Sequence, residues 1–192
     1  AIMLNFPIPL IPLQILLINL LTDAFPALGL GLEPSEEGIM KRSPRNPKEK
    51  PISMKLFLSI VIFGIIMAIG TLFMFVKYKE NDLIKAQAVA FTTLVMFQLF
   101  AVMSSRSLSS SFTKLNPFSN KWLLGAVCLS LATQILVVYW APLQSVFGTV
   151  ALSAVDWLKI IGISSLGFIM MEVSKFFIGK NNSINRTVLD VD

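Results

Sequence analysis

The sequence predicts an all-α membrane protein of five transmembrane helices, and three observations carry that prediction. Uncharged runs of membrane-crossing length recur along the chain, charge is scarce overall, and Lys and Arg gather on one side of the resulting spans. Only 14% of the 192 residues are charged and 55% are hydrophobic, against about 25% charged in an average soluble domain. The mean hydropathy of +0.74 agrees.

The first span is expected at 10–31, because nothing before Asp23 is charged. Ahead of it, residues 1–9 read as the stub of an earlier helix and an external turn. Pro7, Pro9 and Pro12 fix φ and remove backbone donors there, so continuous helix is ruled out. A polar loop follows at 32–54. The second span, 55–77, is bracketed by Lys55 and Lys77, and the third, 86–105, begins after Lys85. An uncharged helix of that length rises about 30 Å, the thickness of a bilayer core. A short loop at 78–85 joins these two, and a second polar loop occupies 106–121. The uncharged stretch after Lys121 is too long for one crossing, and Ala141-Pro142 divides it. That leaves a fourth span at 122–141, a loop at 142–155, a fifth span at 156–178 and a tail at 179–192. Lys159 and Glu172 fall near the ends of the fifth span, where long side chains snorkel toward water.

Of the 16 Lys and Arg, only Lys77, Lys79, Lys85 and Lys159 lie on one side of this arrangement. The crowded side, holding both polar loops and the tail, is expected to be cytoplasmic, with the N-terminal end of the segment outside. The net charge of +5 therefore reports topology rather than nucleic-acid binding, for which no reading motif is present. Without His and with one Cys, the His/Cys zinc patterns and Ser-His-Asp chemistry are excluded. Cys128, in an apolar run, reads as packing. With an odd number of spans and no signal peptide, the chain is expected to be an excerpt from a longer protein.

Candidate chemistry sits in the first span. Asn19, Thr22 and Asp23 fall at i, i+3 and i+4, on about 100° of one helix face. All three offer oxygen, the donor that hard cations such as Ca²⁺ take. Pro26 lacks an N–H, so in an α-helix the carbonyl of Thr22 loses its partner. A released carbonyl beside a carboxylate is a means of holding a cation within a membrane. An intramembrane Asp is costly and points to function, whereas Asn19 and Thr22 alone also suit helix–helix hydrogen bonding.

The run Asn19-Leu20-Leu21-Thr22-Asp23, with Pro26-Ala27-Leu28-Gly29 and Glu33-Pro34, resembles the sixth membrane helix of calcium-transporting P-type ATPases. The resemblance continues through Ile39-Met40-Lys41-Arg42-Ser43-Pro44-Arg45-Asn46-Pro47-Lys48-Glu49 and reaches Trp122-Leu123-Leu124-Gly125 and Glu172-Val173-Ser174-Lys175-Phe176. It implies that the five spans are helices six to ten of a ten-helix membrane domain. It further implies that Asn19 and Asp23 are calcium ligands, with Thr22 contributing. Arg42, Pro44, Arg45, Pro47 and Lys48 would belong to a loop coupling the membrane to a phosphorylation domain; by composition alone that run is a solvated basic loop at a lipid surface. Gln98 falls where two-site pumps carry an acidic ligand. Its amide offers oxygen without charge, so one ion per cycle is expected; a hydrogen bond to a neighbouring helix is its other reading.

One carboxylate matches a divalent cation poorly, so a further carboxylate is expected from outside the chain. ATP and Mg²⁺ would enter only through phosphorylation and nucleotide-binding domains that this segment lacks, and the segment is not catalytic alone. Calcium is the expected cargo, with manganese, sodium and proton pumps as alternatives. A secondary transporter predicts a repeat between halves, and none is evident; a structural scaffold predicts that Asp23 tolerates replacement. Partners are expected to be lipid and the rest of the same pump, not nucleic acid, in the cell membrane of a prokaryote.

Overall fold

The computed structural model describes residues 1, 5–33, 54–106 and 119–189, the side chains of residue 55 and residues 176–189 excepted. Its described elements are helices: α1 (Pro12–Leu17), a π-helical segment (Ile18–Ala24), α2 (Phe25–Gly31), α3 (Met54–Lys79), α4 (Leu83–Ser104), α5 (Lys121–Tyr139), α6 (Ala141–Phe147) and α7 (Ala154–Leu189). Five stretches are long and apolar enough to cross a membrane: Pro12–Gly31, Leu56–Lys79, Leu83–Ser104, Lys121–Tyr139 and Ala154–Lys175.

Local sequence explains where the helices start. Pro12 stands in the first turn of α1, where its missing N–H is not needed. Asp82 caps α4 by accepting from the backbone N–H groups of Ile84 and Lys85 at 2.9 and 3.1 Å. Ser153 and Asp156 cap the start of α7 reciprocally: Ser153 N donates to Asp156 Oδ2 at 3.0 Å, and Asp156 N donates to Ser153 Oγ at 3.2 Å. Two segments are more helical than their composition suggests. The stretch after Pro142 forms the short helix α6, Pro142 again sitting in a first turn. The helical backbone of α7 runs past residue 178 to Leu189, since no proline interrupts it.

α4 is the central and most buried span, packed against α3 and α7 and touching the π-helical segment. Its aromatic Phe97 is fully buried. A Cβ added to Gly70 of α3 or Gly167 of α7 would lie 2.8 Å from the Phe97 ring, so both neighbours must be glycine for the three helices to close on it. α2 packs mainly on α5. With no hydrophobic drive between helices in lipid, such close contacts and interhelical hydrogen bonds are what hold the bundle.

The two ends of the bundle are tied by ionic clusters. At one end, buried Asp156 accepts from Tyr78 Oη at 2.6 Å and pairs with Lys85 Nζ at 3.0 Å. Lys159 Nζ donates to Tyr78 Oη at 3.1 Å, so Lys159 joins helices rather than only reaching for water. At the other end, Lys175 Nζ bonds Glu172 at 2.6 Å and the last-turn carbonyl of Ser104 at 2.5 Å, while Ser104 Oγ donates to Glu172 at 2.6 Å. Glu172 likewise bridges α4 and α7 instead of snorkelling. Cys128 is exposed on α5, not packed inside.

Candidate cation site

The first span is helical throughout, but Asn19, Thr22 and Asp23 lie in its π-wound section. Such single π turns occur frequently at functional sites. This winding changes which carbonyl Pro26 leaves short. In an i→i+4 ladder residue 26 serves Thr22; in an i→i+5 ladder it serves Leu21. The carbonyl that receives an outside donor is that of Leu21, at 2.8 Å from Ser130 Oγ of α5. The expectation of a released Thr22 carbonyl is thus corrected by one residue, because the sequence spacing was read on an α-helix.

The three polar residues also part company. Thr22 is 3% exposed, and its hydroxyl donates to the Ile18 carbonyl at 2.9 Å, a bond within its own helix. Asn19 and Asp23 are exposed, on a flank that the other described helices leave uncovered. Thr22 faces a narrow crevice shared with Phe91 and Val95 of α4 and Ser130 and Gln134 of α5.

Gln98 follows Phe91 by seven residues, so the two project within about 20° of each other around α4. It therefore shares the side of α4 that carries Phe91. Its Oε1 is buried and has no hydrogen-bond partner, an uncommon condition for a buried amide. Among the described residues, no three Asp, Glu, His or Cys side chains converge. Arg42, Pro44, Arg45, Pro47 and Lys48 lie outside the described residues.

Beside these groups runs a polar seam that sequence spacing did not single out. Gln134 is 2% exposed, and its Nε2 donates to Thr92 Oγ1 at 2.8 Å; Thr92 in turn donates to the Ala88 carbonyl at 2.8 Å. Ser130 and Gln134, at i and i+4 in an otherwise apolar run, were its signal. At the far end of α2, Asn120 Nδ2 donates to the Gly29 carbonyl at 2.8 Å and to Glu33 Oε2 at 2.7 Å. Arg106, its side chain 1% exposed, meets the same Glu33 carboxylate at 2.7 Å and Ser119 Oγ at 2.5 Å. Burial works against the charge on Glu33. Hydrogen bonds from Arg106 and Asn120, with the positive charge of Arg106, outweigh it and hold the carboxyl below its usual range.

The family model for the C-terminus of cation-transporting ATPases matches residues 7–177, nearly the whole arrangement just described. The chain belongs to this family. It is similar to a calcium-transporting ATPase of Bacillus subtilis (strain 168), 43% identical over 169 residues that cover 86% of this chain and 19% of the relative. Similarity extends to the human calcium-transporting ATPase type 2C member 1, 38% identical over 177 residues, covering 91% and 19%. Calcium-transporting ATPase 1 of Yarrowia lipolytica (strain CLIB 122 / E 150) is 36% identical over 181 residues, covering 93% and 20%. The chain thus spans about a fifth of the length of these curated relatives. As a family member it is an integral, multi-pass membrane segment of five helices.

Proposed function

We propose that this chain is the ion-binding and translocation segment of an ATP-driven pump that exports calcium from the cytoplasm through one ion site. One observation carries the reading: a π-wound membrane helix presents Asn19 and Asp23 on an open flank, while α4 holds a buried Gln98 Oε1 that has no partner. Oxygen donors in an apolar bundle, aligned with a locally rewound helix, suit a hard cation. The names of the relatives, all calcium-transporting ATPases, support calcium as cargo in place of manganese, sodium or protons.

In this reading Asn19 and Asp23 supply ligands directly and Gln98 supplies a neutral carbonyl oxygen. Thr22 contributes through its backbone or by holding the helix, since its hydroxyl is engaged with Ile18. Asp23 brings one negative charge, so a second carboxylate comes from other helices of the same pump. Those partners also bring ATP and Mg²⁺, through cytoplasmic domains that Arg42, Pro44, Arg45, Pro47 and Lys48 would couple to the membrane. The Lys and Arg bias orients the loop at 32–54 toward the cytoplasm, and in this reading the membrane is the cell membrane of a prokaryote.

In the full-length pump, Asp23→Asn is expected to abolish calcium-dependent phosphorylation by ATP. Full calcium dependence in that variant would overturn the assignment. Counting ions tests the site number: two calcium ions per cycle would sink the single-site reading.

A further inference from the structure

We propose that Ser130 is a positioning residue for the cation site. Its hydroxyl holds the Leu21 carbonyl and so keeps Ile18–Ala24 in the π winding that sets where Asn19 and Asp23 face. The inference rests on reading those two residues as groups that meet calcium.

Pro26 forces a choice on the helix before it. Wound as α, the segment bonds Leu21 through the N–H of Phe25 and leaves Thr22 opposite a residue without a donor. Wound as π, it moves that deficit to Leu21. An unmet carbonyl is costly in an apolar bundle, where water does not compensate. The winding is therefore decided by which of the two carbonyls finds a donor from elsewhere. Ser130 Oγ lies 2.8 Å from Leu21 O and is 2% exposed, so the π winding is the one that is satisfied.

Ser130 is itself held in place. Gln134, one turn along α5, is bonded to Thr92 of α4 at 2.8 Å, which fixes the rotation of α5 against the central helix. Thr22 Oγ1 adds a bond to Ile18 O inside the same segment. Reverting from five- to four-residue spacing shifts the helix by one residue, about 100° of facing, across the stretch that carries Asn19 and Asp23. Loss of the Ser130 hydroxyl would then populate a form whose ligands point elsewhere, and apparent affinity falls with the competent fraction.

The test uses the full-length pump and the calcium dependence of its phosphorylation by ATP. Ser130→Ala should raise the half-saturating calcium concentration about tenfold, the scale of one buried hydrogen bond, while the maximal level at saturating calcium is retained. Ser130→Thr, which keeps a hydroxyl, should restore wild-type calcium dependence. Pro26→Ala supplies an N–H that Leu21 can use in the π ladder, so Ser130→Ala should cost little more in that background. An unchanged half-saturation in Ser130→Ala, or full additivity with Pro26→Ala, would overturn the inference while leaving the calcium reading intact. If Asp23→Asn keeps full calcium dependence in the same assay, both fall.

Discussion

Arg106 grips both carboxylate oxygens of Glu33, with Nε at 3.0 Å from Oε1 and 3.3 Å from Oε2 and Nη2 at 2.7 Å from Oε1. The pair joins the end of the first span to the end of α4, in a fork geometry that a lysine does not reproduce. It is one tie between the helix with the candidate ligands and the central helix of the bundle, beside their direct packing.

Acid should loosen this tie. The Glu33 carboxyl is held below its ordinary value of 4.5. A depressed folded-state value stabilises the protein above the unfolded value, and that contribution is lost as pH falls through the folded one. Thermal unfolding of the full-length pump should therefore show a stability loss below about pH 4.5 that is smaller in Glu33→Gln. At neutral pH, Glu33→Gln should cost on the order of 1–3 kcal/mol, since Arg106 loses its charged acceptor.

Gly29 lets α2 lie close against the backbone of α5. A Cβ there would sit 2.8 Å from Leu123 Cα, a backbone atom that side-chain adjustment does not move. Gly29→Ala should destabilise the full-length pump by about 1–3 kcal/mol. Gly125→Ala, with nothing within 4 Å, is the matched control and should be neutral or slightly stabilising.

Asp156 and Lys85 should respond unequally to truncation. Asp156 is 4% exposed in its side chain and also accepts from Tyr78 and Ser153, whereas the Lys85 side chain is 32% exposed. Asp156→Ala takes the acceptor from Tyr78, Lys85 and Ser153 at once and should cost about 1–3 kcal/mol. Lys85→Ala should cost less, because three other bonds still satisfy the carboxylate. Chemical or thermal denaturation of the two variants side by side checks the order.

Gln98→Leu removes the buried oxygen while conserving bulk. The half-saturating calcium concentration for phosphorylation of the full-length pump should rise at least about tenfold if that oxygen meets the ion. Unchanged calcium dependence would assign Gln98 to packing between helices.

Hydropathy alone made the five spans readable, because charge is so costly in lipid that its absence marks each crossing. The ligand candidates were readable for the same reason: Asp23 is conspicuous in an apolar run. The details that depend on winding were not. Spacing of three and four residues assumes an α-helix, so the displacement of the carbonyl deficit from Thr22 to Leu21 was invisible. Ser130 gave no cue alone, since a serine in a membrane helix commonly bonds its own backbone. Glu33, Arg106 and Asn120 are spread over two connections, with Arg106 and Asn120 at opposite ends of one, and only the closure of the bundle brings them together. Lys159 and Glu172 read as end-of-span charges until the structure bonded them to Tyr78 of α3 and Ser104 of α4.

Helix ends ordinarily fray one by one, each at its own small cost. Asn120 removes that independence, because its side-chain oxygen accepts from Leu123 N at 2.9 Å in the first turn of α5 while its amide nitrogen holds Gly29 O and Glu33. Unwinding the start of α5 therefore lets go of the end of the first span, and a pull on either helix is felt by the other as the loss of a single amide.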